Sequence, residues 1–138
     1  MTITYKQHIP NIEDYFSLFE STGWNEEYKL TKEELSTTLD KSYYCISAYD
    51  GEKLIGFGRM MSDGILHAMI YEMIVYPVCQ GRGIGREILN RLLAKCIENN
   101  IRDIQLFCAK GKRRFYEKSG FVARPDDGPG MDYRKQKD

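Results

Sequence analysis

Along this chain of 138 residues, apolar residues recur in some segments at every second position, as in a strand, and in others at the spacing of a helix. The two kinds of segment predict a mixed α and β protein. Apolar and polar positions alternate over residues 2–6, which predicts a short strand, whereas a helical period predicts a helix over residues 12–21. A capping box that starts at Thr31 predicts another helix, which ends near Asp40. The clearest helical period covers residues 84–97, where apolar residues occupy one face and polar residues the other.

Runs of β-forming residues between turn signals predict the other strands. Two runs within residues 43–61 are joined at Asp50-Gly51, a strong hairpin signal, and a turn at Asp63-Gly64 leads into a strand over residues 67–76. After the long helix, the pattern predicts a buried strand over 103–108, a short helix over 111–120 and closing strands at 121–123 and 131–133. Over its first strands the sheet is expected to be antiparallel.

The charge balance and the composition remove several classes of function. Lys and Arg number 20 and Asp and Glu number 20, so nothing in the net charge attracts the chain to nucleic acid or to an anionic membrane. Four scattered cysteines and two distant histidines offer neither a metal site nor a redox pair. No apolar run is long enough to span a bilayer, and the start of the chain has no export signal. The expectation is a single cytoplasmic domain over residues 1–138.

The segment Gln80–Gly85, with the sequence QGRGIG, follows a predicted strand and begins the long helix. It brings unpaired backbone amides to the positive end of a helix dipole, where phosphate binds. Its three glycines let a phosphate approach the backbone, and Arg82 and Arg86 add positive charge. No Lys-Ser or Lys-Thr follows the glycines, which excludes a P-loop, and a dinucleotide fingerprint would need its third glycine one residue later. A plain tight turn is the remaining alternative.

Three motifs together resemble those of the GNAT superfamily of acyl-CoA N-acyltransferases. Gln80–Gly85 matches the signature [QR]-x-x-G-x-[GA] at each defined position, Ile74–Pro77 resembles the V-x-P strand end, and Phe115–Phe121 resembles F-Y-x-x-x-G-F. The resemblance covers nearly the whole chain. It implies a mixed α/β (α+β) GNAT fold, with a central, mostly antiparallel twisted sheet flanked by helices on both faces. Many members carry an Asn before the Phe-Tyr pair, where this chain has Cys108-Ala-Lys-Gly-Lys.

This resemblance implies acetyl-CoA as the co-substrate, a primary amine of a small molecule as the acceptor, and direct attack of that amine on the thioester in a ternary complex. The amides of the glycine turn would hold the pyrophosphate of coenzyme A, and the adjacent strand edge would hydrogen-bond the pantetheine arm. An amide near Ile74 or Val75 would polarise the thioester carbonyl. No metal takes part. The implied cofactor-binding residues are Ile74, Val75, Gln80, Gly81, Arg82, Gly83, Ile84, Gly85, Arg86 and Tyr116.

Direct attack requires two proton transfers. An alkylamine with a pKa of about 10 is mostly protonated at neutral pH, so the reaction needs a base. Glu72, inside the apolar stretch MIYEMIV, is the leading candidate, acting directly or through a water, and an outward, solvated strand position is the competing interpretation. His67 on the same strand is a weaker candidate. The family resemblance makes Tyr116 the candidate acid that protonates the departing thiolate.

The acceptor pocket is the part that the sequence constrains least. By resemblance it would lie between the first helices and the later strands, where Trp24, Tyr28, Tyr43 and Tyr44 are candidate walls. Aromatic walls would suit an arylalkylamine or another amphipathic amine, while the alternative is that these side chains belong to the core and to a helix lid. The closing RPDDGPGMDY loosely resembles plastid serotonin N-acetyltransferases, which assigns no substrate. Dimers are frequent in the family, so a homodimer is also expected.

Other classes of function stay open. A protein of this fold can bind acetyl-CoA and regulate a partner without transferring the acyl group, and an acceptor amine can belong to a peptide or protein. A pure interaction module is disfavoured because the family motifs occur together. A regulator would bind acetyl-CoA and leave free amines unchanged, whereas an interaction module would not bind it.

Overall fold

A computed structural model describes residues 2–134, and these residues fall into two compact units that divide between Leu106 and Phe107. The first unit contains the sheet and the long helix, and the second contains one short helix. Among the described residues, no helix combines the length and the apolar character needed to cross a membrane. The single domain expected over residues 1–138 stays a prediction.

The helices and strands follow one another in the order that the sequence predicts, with two short additions. They are β1 (Ile3–Lys6), α1 (Ile12–Glu20), α2 (Asn25–Tyr28), α3 (Lys32–Asp40), β2 (Tyr44–Asp50), β3 (Lys53–Ser62), β4 (His67–Val75), a 3-10 turn (Pro77–Cys79), α4 (Ile84–Glu98), β5 (Asp103–Leu106) and α5 (Arg113–Glu117). The additions are α2 and the 3-10 turn, which are too short to show a hydrophobic period.

The strands form one five-stranded sheet in the order β1-β2-β3-β4-β5. The first four strands pair antiparallel with their neighbours, and β5 runs parallel to β4. The mostly antiparallel sheet is therefore confirmed. The predicted hairpin joins β2 to β3, but Asp50 pairs with Lys53, so the turn consists of Gly51 and Glu52 and lies one residue later than predicted. Gly51, with φ of +61°, supplies the positive φ that such a two-residue turn needs at its first position.

Helices cover both faces of the sheet, as the resemblance implies. On one face, Phe57 of β3 packs edge-on against Tyr15 of α1, with 4.8 Å between the ring centres, in a buried cluster that includes residues of α3. Its neighbour Gly58 faces α4, because a side chain built on it would meet Ile88 and Leu92. Successive strand residues point to opposite faces, so α1 and α3 lie on one face and α4 on the other.

Side chains close in sequence cap the N-termini of α1 and α3 at the positions that the sequence predicts. The side chain of Asn11 accepts hydrogen bonds from two backbone amides in the first turn of α1 and so caps that helix. At α3, the predicted capping box is present, since the side chains of Thr31 and Glu34 each accept a hydrogen bond from the other's backbone amide. These contacts span only three residues, which is why the sequence alone reveals them.

The predicted closing strands are wrong. Residues 121–123 and 131–133 have no regular secondary structure. The loop between them contains Pro125 and Pro129, and a proline has no amide to donate to a strand ladder. Each run is also only three residues long, too short to form a strand without a firm partner. β5 likewise ends at Leu106, two residues earlier than predicted.

The close approach of α4 to β3 makes Gly58 a sensitive position. In Gly58→Ala, the new Cβ would lie 2.7 Å from Cγ2 of Ile88 and 2.8 Å from Sδ of Met73, so we expect a loss of about 1–3 kcal/mol in the free energy of unfolding, measured in urea. Gly128→Ala is the control, because its Cβ would meet only the end of the Arg124 side chain, at 3.4 Å. Equal stability of the two variants would contradict the packing argument.

Candidate active site

The glycine turn lies between the end of β4 and the start of α4. Gly81 and Gly83 both have φ of +80°, a conformation that residues with a Cβ rarely adopt. A Cβ built on either glycine would meet no atom within 4 Å, so the backbone conformation, and not packing, requires glycine there. The space around both residues is therefore open to a ligand.

The start of α4 offers backbone donors to such a ligand. Gly83 is the N-cap of α4 and supplies no side chain to the amides of the first turn. The helix has 15 residues, and the positive end of its dipole lies at this turn. Arg82 and Arg86 are exposed at the same end, and Gly85 is half-buried between them. A pyrophosphate would meet backbone amides and positive charge together.

Two other residues of the motif, Gln80 and Ile84, attach the turn to the sheet. Nε2 of Gln80 donates a hydrogen bond to the backbone oxygen of Val75 at 3.0 Å and so ties the turn to the end of β4. Ile84 is buried, and it packs toward Gly56 of β3. The defined Gln of the motif therefore shapes the path of the backbone in this chain.

The second half of β4 has a free edge among the described strands. β5 pairs with β4 only over His67–Ile70. Residues 71–75 follow β3 on their other side, and no described strand pairs with them on the side of β5. Backbone groups along such an edge are available to an extended ligand. The edge leads along the chain to the glycine turn.

Glu72 lies at a β-bulge within this free segment. Where β3 pairs with β4, Glu72 and Met73 lie opposite the single residue Gly58. Glu72 has φ of +47°, a left-handed conformation that costs a residue with a Cβ about 1–2 kcal/mol. Backbone strain of this kind is concentrated at functional sites in proteins, which adds weight to Glu72 as a candidate.

The bulge turns Glu72 toward the face of α1 and α3. Ile70 pairs with Met60, and Met60 contacts Cys96 of α4, so simple alternation would place Glu72 beneath α4 as well. Its carboxylate instead meets Arg59, with Nε donating to Oε2 at 2.9 Å. The Glu72 side chain is 22% exposed, so it is neither fully solvated nor enclosed.

Tyr15 of α1 lies close enough to Glu72 and Arg59 for their charges to shift the pKa of its hydroxyl. Burial raises the pKa of Tyr15 well above its ordinary value, and the negative charge of Glu72 adds to this effect. Arg59 opposes it. The Tyr15 hydroxyl therefore stays protonated at neutral pH.

Tyr116 lies in the second unit, in α5. Its ring packs edge-on against Phe115 and Phe121, with ring centres 5.0 and 6.0 Å apart, so the F-Y-x-x-x-G-F motif forms an aromatic cluster. Burial raises the pKa of Tyr116, and the neighbouring thiol of Cys108 adds to the shift. The hydroxyl is therefore protonated at neutral pH, as a proton donor must be.

Trp24 and Tyr28 lie on the connection between α1 and α3. The Trp24 ring packs edge-on against Phe19 of α1 at 5.9 Å between centres, and the residue is 40% exposed. Tyr28, the last residue of α2, is 64% exposed. Both rings thus combine surface exposure with a place beside the helices that cover the face of Glu72.

Tyr43 and Tyr44 pack at the other end of α4. The hydroxyl of Tyr43 accepts a hydrogen bond from Nδ2 of Asn99, the C-cap of α4, at 2.6 Å. The ring of Tyr44 lies 5.3 Å from Nζ of Lys95 in the same helix. A 15-residue helix is about 22 Å long, so these two tyrosines lie far from the glycine turn at its beginning.

His67 occupies the first position of β4 and is exposed. Its Nδ1 lies 3.0 Å from Oδ2 of Asp103 in β5, which joins the beginnings of the two parallel strands. Four residues of strand separate it from Glu72. Within residues 2–134, no group of three or more His, Cys, Asp or Glu side chains is placed to hold a metal ion.

Comparison with protein families gives a match over most of the chain. The family model of the acetyltransferase (GNAT) domain matches residues 17–129. This range includes the glycine turn, Glu72 and Tyr116.

Several known proteins are similar to the chain. An "Uncharacterized N-acetyltransferase ycf52" of Pyropia yezoensis is 30% identical over 125 residues, which cover 88% of this chain and 70% of that protein. "Histone acetyltransferase TAP1" of Glycine max is 29% identical, over 88% of this chain and 56% of that protein. "Serotonin N-acetyltransferase 2, chloroplastic" of Oryza sativa is 31% identical, over 60% of this chain and 42% of that protein.

Solved structures show the same architecture. A GNAT family acetyltransferase from Streptococcus pneumoniae superimposes with a TM-score of 0.83 and 27% identity, over 99% of this chain and 100% of that one. A predicted acetyltransferase from Clostridium acetobutylicum, solved with acetyl-CoA, superimposes with a TM-score of 0.69 and 18% identity, over 95% and 96% of the two chains. The latter comparison shows the fold alone.

The open glycine turn generates a binding prediction. Gly83→Glu places bulk and negative charge where a pyrophosphate would meet the amides, so we expect calorimetry to detect no binding of acetyl-CoA. Gly23→Glu is the matched control, because Gly23 has φ of +79° and, like Gly83, no atom within 4 Å of a Cβ built on it. It carries the same backbone strain and should bind normally. Normal affinity in Gly83→Glu would remove the turn from the cofactor site.

Proposed function

The chain belongs to the GNAT family of acetyltransferases, and on that basis we propose that it transfers the acetyl group of acetyl-CoA to a primary amine of a small molecule. The amine attacks the thioester directly, in a ternary complex. The observation that carries the proposal is that the free edge of β4 leads directly to the open amides at the start of α4. The edge and the turn offer backbone groups in the order in which coenzyme A would use them.

The proposed cofactor site offers the groups that coenzyme A would need. A pantetheine arm carries two amides along an extended chain and is joined to a pyrophosphate. The backbone around Ile74 and Val75 would pair with the arm, because β3 borders only one side of this segment and no described strand borders the other. One amide there would stabilise negative charge on the thioester oxygen. The amides of the glycine turn would hold the pyrophosphate, with Arg82 and Arg86 adjacent.

Glu72 is the proposed base. It lies two residues before Ile74, at the point where the bulge turns its side chain toward α1 and α3. Its partial exposure leaves room for a water or for the amine itself. The carboxylate would take the proton that the attacking nitrogen loses as its bond to the acetyl carbon forms.

Tyr116 is the proposed acid. The departing sulfur leaves with the electron pair of the broken carbon–sulfur bond and needs a proton, which the Tyr116 hydroxyl would donate. Solvent then restores the proton to the tyrosine. The Tyr116 hydroxyl is protonated at neutral pH and so has a proton to donate.

An amphipathic amine is the proposed acceptor. Trp24 and Tyr28 offer exposed aromatic surface on the connection between α1 and α3, and a relative named for serotonin acetylation supports an arylalkylamine. Tyr43 and Tyr44 are left out of the proposed acceptor wall, because both contact α4, on the face of the sheet opposite Glu72.

A peptide or protein amine is the second candidate acceptor. The relative named as a histone acetyltransferase matches 88% of this chain, the same share as the relative from Pyropia yezoensis.

A regulator that binds acetyl-CoA without transfer, a homodimer and a cytoplasmic location stay predictions. Two relatives have chloroplastic in their names, so the comparisons do not support a cytoplasmic location.

The decisive experiment measures release of free coenzyme A thiol from acetyl-CoA in the presence of arylalkylamines, polyamines, amino sugars, amino acids and lysine peptides. We expect thiol release with an arylalkylamine, at a rate that saturates as the amine concentration rises. Release with lysine peptides alone would establish the protein acceptor instead. Binding of acetyl-CoA without release from any class would replace the transferase proposal with a regulator.

Tyr116→Phe tests the acid. We expect kcat to fall about 100-fold, with the Kd for acetyl-CoA changed by less than about twofold, because only the proton donor is lost. Tyr133→Phe is the control, since Tyr133 belongs to the same unit and is 90% exposed. An unchanged kcat in Tyr116→Phe would show that another group protonates the sulfur.

A further inference from the structure

Arg59 of β3 is held from two sides. Its side chain is only 11% exposed, and its Nε donates to Oε2 of Glu72 at 2.9 Å. On the other side, Nη1 donates to the backbone oxygen of Thr38 and to Oγ of Ser42, both at 3.2 Å. The guanidinium also lies 5.9 Å from the ring centre of Tyr71. Arg59 therefore joins the end of α3 to the bulge of β4.

The α3 side of this arrangement does not depend on Glu72. Thr38 lies in the last turn of α3, where carbonyl groups at the negative end of the helix attract a cation. Oγ of Ser42 donates to the same Thr38 oxygen at 3.1 Å, and the capping box at Thr31 holds the other end of the helix. The guanidinium would keep these anchors if the carboxylate were removed.

The backbone alone does not determine where the Glu72 carboxylate lies. The bulge points the side chain to the face of α1 and α3, but a glutamate has three rotatable side-chain bonds. A charge-assisted hydrogen bond of 2.9 Å to an anchored guanidinium restrains all three. The position of the carboxylate is therefore set by Arg59.

Stability does not account for this pair. Partly buried ion pairs are often no more stabilising than apolar residues of similar size, and the left-handed φ of Glu72 adds a cost. The same face of β3 carries Phe57, which packs in an apolar cluster with Tyr15. An apolar pair would suit that face equally well, so a role in the reaction is the better explanation.

Resting on the proposed transferase function, we propose that Arg59 is a positioning residue that holds the Glu72 carboxylate beside the free edge of β4, where the acceptor amine attacks. Arg59 touches no reacting atom and acts only through Glu72. Binding of acetyl-CoA does not depend on it, because other residues form the glycine turn.

A double-mutant cycle tests the proposal. The variants are Arg59→Gln, Glu72→Gln, the double variant and Arg59→Lys, each assayed for kcat, for the KM of the amine, for the Kd of acetyl-CoA and for the urea midpoint. Arg91→Gln is the matched control. Arg91 also has a carboxylate neighbour, Glu87, and an aromatic neighbour, Tyr5, but it lies on α4 with 47% of its side chain exposed.

We expect Arg59→Gln to lower kcat about 10- to 100-fold, with the amine KM and the acetyl-CoA Kd changed by less than about threefold. In the Glu72→Gln background, adding Arg59→Gln should lower kcat no further. Arg59→Lys should recover part of the rate, since it keeps the charge and loses the planar fork. Arg91→Gln should leave kcat unchanged.

A purely structural Arg59 would lower kcat by the same factor in both backgrounds, which would overturn this proposal alone. An unmodified protein that releases no thiol with any amine would overturn the transferase proposal and this one with it. If Arg59→Gln does not fold, Arg59→Lys with and without Glu72→Gln makes the same comparison, and equal losses in both backgrounds would again overturn the proposal.

Discussion

A one-residue mismatch between β3 and β4 is the constraint on which the rest of the site depends. β4 carries Glu72 and Met73 opposite Gly58, and Gly58 has no side chain because α4 and Met73 already occupy that space. Beyond the mismatch, the side chains of β4 point to the faces opposite to those that regular alternation would give them. Ile70 faces α4, whereas Ile74, four residues later, joins the core beneath α1. One extra residue thus turns a carboxylate to the opposite face of the sheet and keeps both faces packed.

The two halves of β4 differ in how their edges are paired. Its first residues pair with β5 and complete the sheet, and its last residues keep one edge free and lead to the start of α4. Because the net charge of the chain is zero, attraction of an anion depends on local features, the amides and arginines of the turn. The relatives are named for acceptors as different as a histone and serotonin. In this chain the connection between α1 and α3 is the proposed place of the acceptor wall.

Some parts of the fold were predictable because their causes are local. The capping box at Thr31, the N-cap at Asn11 and the glycine turn each depend on residues within a few positions of one another. The closing strands failed for the opposite reason. Residues 121–123 resemble a strand locally, but a strand exists only where a partner supplies hydrogen bonds, and the sequence contains no signal for that partner.

The sequence by itself determined the family, the position of the glycine turn and, apart from the two short additions and the closing strands, the order of elements, because spacing and short motifs encode them. Only the tertiary structure decided what surrounds Glu72. Its partner Arg59 lies 13 residues away, and the two meet because a bulge shifts the register of β4. Gly58, which lies opposite the bulge, is in close contact with α4, and no local pattern records that contact between elements. The free edge of β4 is equally non-local, since it depends on where β5 stops pairing.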